Sequence, residues 1–129
     1  MKILLDTCTF LWIITDDVRL SSKAKTLFGA SENEVFLSVV STWEIAVKYK
    51  LGKLPLPISP DQYIPRKREQ HGIDCLLLDE QATLYLPKLP DLHRDPFDRI
   101  LICQAIIQGM CLLTPDQLIN QYPVHTQWK

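Results

Sequence analysis

The sequence predicts an α/β fold with a central parallel sheet of four or five strands flanked by helices. Two observations predict it. Short apolar runs alternate with helical patterns from one end of the chain to the other. The runs themselves (Ile3-Leu4-Leu5, Val35-Phe36-Leu37, Leu76-Leu77-Leu78, Leu112-Leu113) are continuously apolar rather than alternating, as in strands covered on both faces. With 129 residues, the chain suits one domain spanning 1–129. A domain of that size buries about two-thirds of its unfolded surface, so its core needs no metal or disulfide staple.

Residues 3–5 form the first strand, which ends at Asp6. Residues 10–14 are too densely apolar for a one-faced helix and predict a mostly buried one. Ser21-Ser22 open a second helix, with Ala24, Leu27 and Phe28 at helical spacing and Gly29 at its end. A strand over 34–38 follows, then a helix over 41–50 closed by Gly52. Leu54-Pro55-Leu56-Pro57 and Pro60 make a rigid connector. Residues 61–71 read as a polar, basic helix broken or kinked at Pro65. A strand over 75–78, a helix from 79 to about 86 and a loop over 87–94 come next. The strongest helix runs from 96 to 108, with apolar residues around most of its surface and Gly109 at its end. Residues 111–114 give a fourth strand, a last helix starts near Pro115, and 123–126 adds an edge strand.

Charge and cysteines narrow the function. Fourteen Lys and Arg stand against fifteen Asp and Glu, a net charge of -1. Bulk charge therefore drives neither non-specific adhesion to nucleic acid nor binding to anionic membrane, and a nucleic-acid partner needs a local patch. Cys8, Cys75, Cys103 and Cys111 include no CxxC pair and read as small buried hydrophobes in a cytoplasmic protein. Asp6 interrupts what resembles the start of a signal peptide. The longest uncharged run, 100–115, is too short and polar to span a bilayer, so no membrane segment is expected.

Open parallel sheets gather functional groups at the carboxyl ends of strands. Asp6 follows the first strand and Asp116 the fourth, while Glu44 and Asp98 sit in first helical turns. Local readings exist for three of these acids. Ser41-x-x-Glu44 is a capping box, Asp95-Pro96-Phe97-Asp98 satisfies the helix-start rules, and Thr114-Pro115-Asp116 opens the last helix. Asp6 is harder to explain locally, because a carboxylate beside buried apolar residues is costly unless paired, hydrogen-bonded or on a metal. If the fold joins all four, charges about 4 Å apart repel by roughly 4 kcal/mol at an effective dielectric of 20. Such a cluster takes up protons or a divalent cation, and hard oxygen donors suit Mg²⁺ or Mn²⁺. His71, His93 and His125 lie far apart in sequence and read as surface or loop residues, which argues against zinc. A carboxylate site for Mg²⁺ performs phosphoryl chemistry.

Leu4-Leu5-Asp6-Thr7, Ser41-Thr42-Trp43-Glu44-Ile45-Ala46-x-Lys48, Gly52-Lys53-Leu54-x-Leu56-Pro57, His93-Arg94-Asp95-Pro96-Phe97-Asp98-Arg99-x-Leu101 and Leu113-Thr114-x-Asp116 together resemble the PIN domain. More narrowly, they resemble the VapC-type toxins of bacterial type II toxin–antitoxin modules, over essentially the whole chain. The resemblance implies a three-layer fold and a cytoplasmic Mg²⁺- or Mn²⁺-dependent endoribonuclease, often a homodimer, restrained by an antitoxin encoded beside it. It makes Asp6, Glu44, Asp98 and Asp116 the acidic quartet. Asp6, Asp98 and Asp116 would ligate metal, and Glu44 would ligate it or orient the attacking water. Asp95 is assigned mainly to the helix cap, with a supporting role in the site. Thr7 and Thr114 either orient neighbouring acids or only cap helices. Cys8 departs from the histidine many relatives carry there, outside the quartet.

Arg66-Lys67-Arg68 is the one dense basic run, either a solvated helix face or a phosphate track that Lys48, Lys50, Lys53, Arg94 and Arg99 extend. Arg94 and Arg99 bracket the Asp95–Asp98 turn and are the leading groups to contact the RNA phosphate or to balance the carboxylates, with Lys48 beside Glu44. Trp12 and Trp43 read as core rather than as base-stacking platforms. Apolar surface at Phe10, Leu11, Trp12 and Ile13 suits an antitoxin or dimer contact. A dehalogenase-like phosphatase would need an Asp at residue 8, where Cys8 stands, and a receiver domain would need a Lys near the late strand end held by Thr114-Pro115-Asp116. The remaining alternatives are a PIN-fold binding module without strong catalysis and a PIN nuclease of RNA processing.

Overall fold

Leu5 forms backbone pairs with Leu37 on one side and Leu113 on the other, and that register positions everything functional. The computed structural model describes residues 1–129. Its strands are β1 (Lys2–Leu5), β2 (Glu34–Ser38), β3 (Asp74–Leu76), β4 (Cys111–Leu113) and β5 (Thr126–Gln127). They form one parallel sheet in the order β3-β2-β1-β4-β5. Since β1, β2 and β4 end level, Asp6, Ser38 and Thr114 occupy one carboxyl edge. The strand order reverses between β1 and β4, and open α/β sheets bind ligands at such a reversal.

Six helices cover the sheet: α1 (Thr7–Ile14), α2 (Ser22–Gly29), α3 (Val39–Lys50), α4 (Pro60–Gln70), α5 (Glu80–Tyr85) and α6 (Pro96–Gln108). Side chains of β1 alternate between two cores. Ile3 and Leu5 pack with Phe10, Ile13, Ala24, Ile45 and Ile64 from α1 to α4. Leu4 points the other way, to Val40, Ala82, Leu101, Ile102 and Ala105. The result is the predicted three-layer α/β fold with a five-stranded sheet. It explains the unbroken apolar strands, since each fully buried Leu or Ile contributes about 1.5–3 kcal/mol whichever face it occupies. Gly109 closes α6 at φ 66°, ψ 35°, a left-handed conformation that glycine adopts without steric cost.

Several local expectations are corrected. Helix α3 starts at Val39, directly after β2, with the Ser38 hydroxyl accepting from Val40 N at 3.0 Å. Ser41 and Glu44 therefore lie inside the helix and form no capping box. Helix α4 runs through Pro65 unbroken, because Pro65 is exposed and only one backbone bond is forfeited. The predicted loop over 87–94 begins within a 3-10 turn, Leu86–Lys88. Strand β3 is short, at the sheet edge, and leaves Cys75, Leu77 and Leu78 exposed. All four cysteines are free, but only Cys103 and Cys111 are buried. No α-helix follows β4. A 3-10 turn, Ile119–Gln121, takes its place, and the edge strand forms at Thr126–Gln127 rather than over 123–126.

Candidate active site

Asp6 is the residue through which β1 becomes α1. Its side chain caps α1, accepting from Thr9 N at 2.9 Å through Oδ1, while Oδ2 accepts from Thr114 Oγ1 at 2.5 Å. The carboxyl is almost wholly buried, and that burial raises its pKa above the ordinary value despite the hydrogen bonds that favour the charge. The Cys8 thiol rests against it at 3.4 Å. Burial and the neighbouring Asp6 charge push that thiol far up, so it stays protonated.

Glu44 reaches the same edge from α3. Oε1 accepts from the Thr7 hydroxyl at 2.6 Å, and Oε2 pairs with Lys48 Nζ at 2.5 Å. The pairing raises the Lys48 pKa, which keeps the ammonium charged. Ser41, predicted as a cap, lies 2.9 Å from the Thr7 hydroxyl and helps hold it. Thr7 thus orients Glu44 and Thr114 orients Asp6, each serving an acid on another element.

Helix α6 brings the next pair. Asp95 caps it, as predicted, accepting from the amides of Phe97 at 2.8 Å and Asp98 at 3.3 Å. Asp98 follows in the first turn, and its pKa is pushed up to about 7. Burial is the largest cause, the charges of Asp95, Asp6 and Glu44 add to it, and His93 offsets it. Asp116 sits in the turn after β4, where Oδ1 accepts from Leu118 N at 2.9 Å and its own amide donates to Thr114 Oγ1 at 3.1 Å.

His93 is the site residue that sequence reasoning missed. Its Nε2 lies 2.8 Å from Asp116 Oδ2 and 3.2 Å from Asp98 Oδ2, joining the two acids. His93, Asp98 and Asp116 each offer one ligand atom, all within 4.8 Å of one another. The signal was its place in the same loop as Asp95, two residues before the cap. All four acids of the quartet are therefore coupled around Asp98. The side chains of Asp98 and Asp116 keep 19% and 31% exposure, so the cluster opens to solvent on one side. None of the four surface clefts is lined by a quartet acid. A set of hard oxygen donors in which burial, and then the neighbouring carboxylates, push one carboxyl toward neutrality fits a divalent cation.

A family model described as PIN domain matches residues 3–124. The chain belongs to the PIN-domain family. Over 53 residues it is 40% identical to Ribonuclease VapC16 of Mycobacterium tuberculosis (strain ATCC 25618 / H37Rv), a stretch covering 41% of this chain and 38% of that protein. The match thus spans under two-fifths of the curated relative's length. In fold, this PIN domain is similar to VapBC2 from Rickettsia felis, solved bound to a DNA fragment from their promoter. The TM-score is 0.69 at 15% identity, over 100% of both chains. It is also similar to a toxin-antitoxin complex from Klebsiella pneumoniae, with TM-score 0.55 at 15% identity over 88% of this chain and 86% of the other.

Around the acids of this PIN domain, the basic residues divide. Arg99 is spent on the loop before α6, with Nη1 donating to Pro90 O at 3.1 Å and lying 3.4 Å from both His93 O and Tyr122 Oη. Its guanidinium clamps the loop that carries His93 through the carbonyls of Pro90 and His93. Arg94 is exposed and makes no ion pair, and Lys48 is held by Glu44. The 66–68 run lies on α4, with Lys67 over the Tyr63 ring. Trp43 is a correction: it is 60% exposed, one residue before Glu44, and meets Phe97 edge-on at 4.9 Å. Trp12 is half-buried, against Trp128 and Arg19.

Proposed function

We propose that this PIN domain is a Mg²⁺- or Mn²⁺-dependent endoribonuclease, with Asp6, Glu44, Asp98 and Asp116 as its catalytic acids. The observation that carries the reading is the coupling of Asp98 to Asp6 and Glu44 by charge and to Asp116 through His93. The partial likeness to a protein named a ribonuclease supports the substrate class. Asp6, Asp98 and Asp116 would hold the ion. When bound, it supplies a nucleophilic water of lowered pKa and neutralises charge gathering on the phosphodiester. Glu44, held by Thr7 and Lys48, ligates the ion or orients the water. Thr114 fixes the buried Asp6, and Asp95 fixes the start of α6. Arg94 is free to meet a phosphate, and the exposed face of Trp43 offers a stacking surface for a base.

The chain acts as the toxin of a toxin–antitoxin pair in the cytoplasm, as a homodimer, with a neighbouring antitoxin covering it. The resemblance of its motifs to VapC toxins and the likeness to the Klebsiella pneumoniae complex support this. A groove of about 540 Å³ lined by Leu11, Trp12, Leu54, Leu56 and Tyr63 suits an antitoxin segment. Phe10 and Ile13, expected in that surface, are buried in the core instead.

The test is RNA cleavage by purified protein with Mg²⁺ or Mn²⁺, lost with EDTA and in Asp6→Asn. Cleavage that survives chelation removes the metal mechanism. Induced expression should arrest growth and be relieved by the product of the adjacent small gene. Harmless accumulation of folded protein contradicts the toxin role.

A further inference from the structure

We infer that His93 is not a ligand of the site's cation but a hydrogen-bond donor that positions Asp116 and Asp98 from behind. The inference rests on the proposed metal-dependent site. His93, Asp98 and Asp116 look like a three-ligand set, since one atom from each lies within 4.8 Å of the others. The other face of the imidazole decides against that reading. Its Nδ1 lies 3.1 Å from the backbone N of Asp95, whose N–H donates to it. A neutral imidazole has one donor nitrogen and one acceptor nitrogen. Accepting at Nδ1 places the proton on Nε2, the nitrogen aimed at the two carboxylates, and leaves it no lone pair for a cation. To ligate through Nε2, the ring would have to move its proton to Nδ1, where it would face the Asp95 N–H donor to donor. Histidines that ligate metals do the reverse, giving the N–H of the second nitrogen to an acceptor.

The surroundings agree with a fixed ring. Arg99 clamps the loop through the carbonyls of Pro90 and His93. Tyr122 Oη accepts from His93 N at 2.8 Å and Leu92 N at 3.1 Å. The side chain is 12% exposed and has little room to swing out. The Asp95 amide lies in the residue that caps α6, so the helix start that carries Asp98 also sets the tautomer of His93. Asp95 thereby acts on the site twice, by its side chain on the Asp98 amide and by its own amide on His93. The protein holds the two acids at the right separation before any ion arrives.

The experiment reads the tautomer directly. Long-range ¹H–¹⁵N spectra of the whole chain, at about pH 8 where histidine is ordinarily neutral, are recorded without metal and with saturating Mg²⁺. The expected result is an Nε2–H imidazole for His93 in both states. In parallel, Mn²⁺ binding is followed by calorimetry. His93→Ala should weaken it about 10- to 100-fold, and His93→Gln, whose amide can still donate to the carboxylates, should restore most of the loss. An Nδ1–H tautomer on metal loading, direct ¹⁴N coupling between His93 and bound Mn²⁺, or wild-type affinity in His93→Ala overturns the inference while leaving the metal-dependent site intact. Failure of the wild-type chain to bind either ion overturns both.

Discussion

Thr114 donates a 2.5 Å hydrogen bond to the carboxylate of Asp6, 108 positions away in sequence, and so joins the ends of β1 and β4 at the reversal of the sheet. The bond opposes the burial that raises the Asp6 pKa. Thr114→Val keeps the shape and removes the donor. A hydrogen bond to a charged group is worth about 1.5–3 kcal/mol, so metal affinity should fall roughly 10- to 100-fold. The acid limb of the pH–rate profile should move to higher pH. An unmoved limb with full activity would mean that Thr114 only shapes the turn.

Stability of the metal-free protein should fall with rising pH. Folding raises the Asp98 pKa to about 7 from the ordinary carboxylate value of 3.8. A group that holds its proton more tightly when folded favours the native state at low pH and loses that advantage as pH climbs through the native pKa. The window is therefore from about pH 4 to about pH 7, with a slope of at most about 1.4 kcal/mol per pH unit. Asp6, also raised, has the same sign. Denaturant melts at several pH values check this, and saturating Mg²⁺ should flatten the slope by favouring the ionised acids. A metal-free profile that rises over the window contradicts the raised pKa values of the buried acids.

Glu44 is buried, and Lys48 is its one cationic neighbour. Lys48→Met should cost about 1–2 kcal/mol, reduced from the value for a fully buried pair because Lys48 is 45% exposed. Thr7→Val should add to that loss less than additively, since both groups serve the same carboxylate. A thermal-melt double-mutant cycle measures the coupling, and strict additivity would show that the two contacts act independently.

Trp43 is exposed at the border of the acids and supported edge-on by Phe97. Stacking of a base on an aromatic face is worth about 1–3 kcal/mol. Trp43→Ala should therefore raise KM for RNA about 10-fold or more while Mn²⁺ affinity stays close to wild type. Stability should fall only by the lost Phe97 contact, about 0.5–1.5 kcal/mol. An unchanged KM assigns the indole to another surface role.

The strands, the helix order and the strand-end positions of the acids were legible because their signals are local. Continuous apolar runs follow from burial on both faces, and Asp6, Asp98 and Asp116 directly follow strands or helix starts. What escaped depended on competition between partners. Ser38 and Ser41 are equally good caps by type, and the register of β2 gives the cap to Ser38, which frees Ser41 to meet Thr7. The last helix was expected from Thr114-Pro115-Asp116. The Thr114 and Asp116 side chains do accept from the Asp116 and Leu118 amides as a cap would, but only the 3-10 turn Ile119–Gln121 follows. His93 looked solitary because its partners lie 5 and 23 positions away, and Arg99 looked free because the carbonyls it binds belong to an irregular loop. Trp43 looked like core because the sequence gives no sign of which helix face turns outward.

The most direct measurement of the assembled acid site is the melting temperature of wild type and Asp98→Asn as Mn²⁺ is added at about pH 8. Without metal, Asp98→Asn should melt higher than wild type, because it removes a charge that Asp95, Asp6 and Glu44 oppose. With metal, wild type should rise steadily with Mn²⁺ concentration and Asp98→Asn should barely respond. A wild type indifferent to Mn²⁺, or a variant that melts lower without metal and responds as wild type does, would contradict a site built to gather carboxylates around a cation.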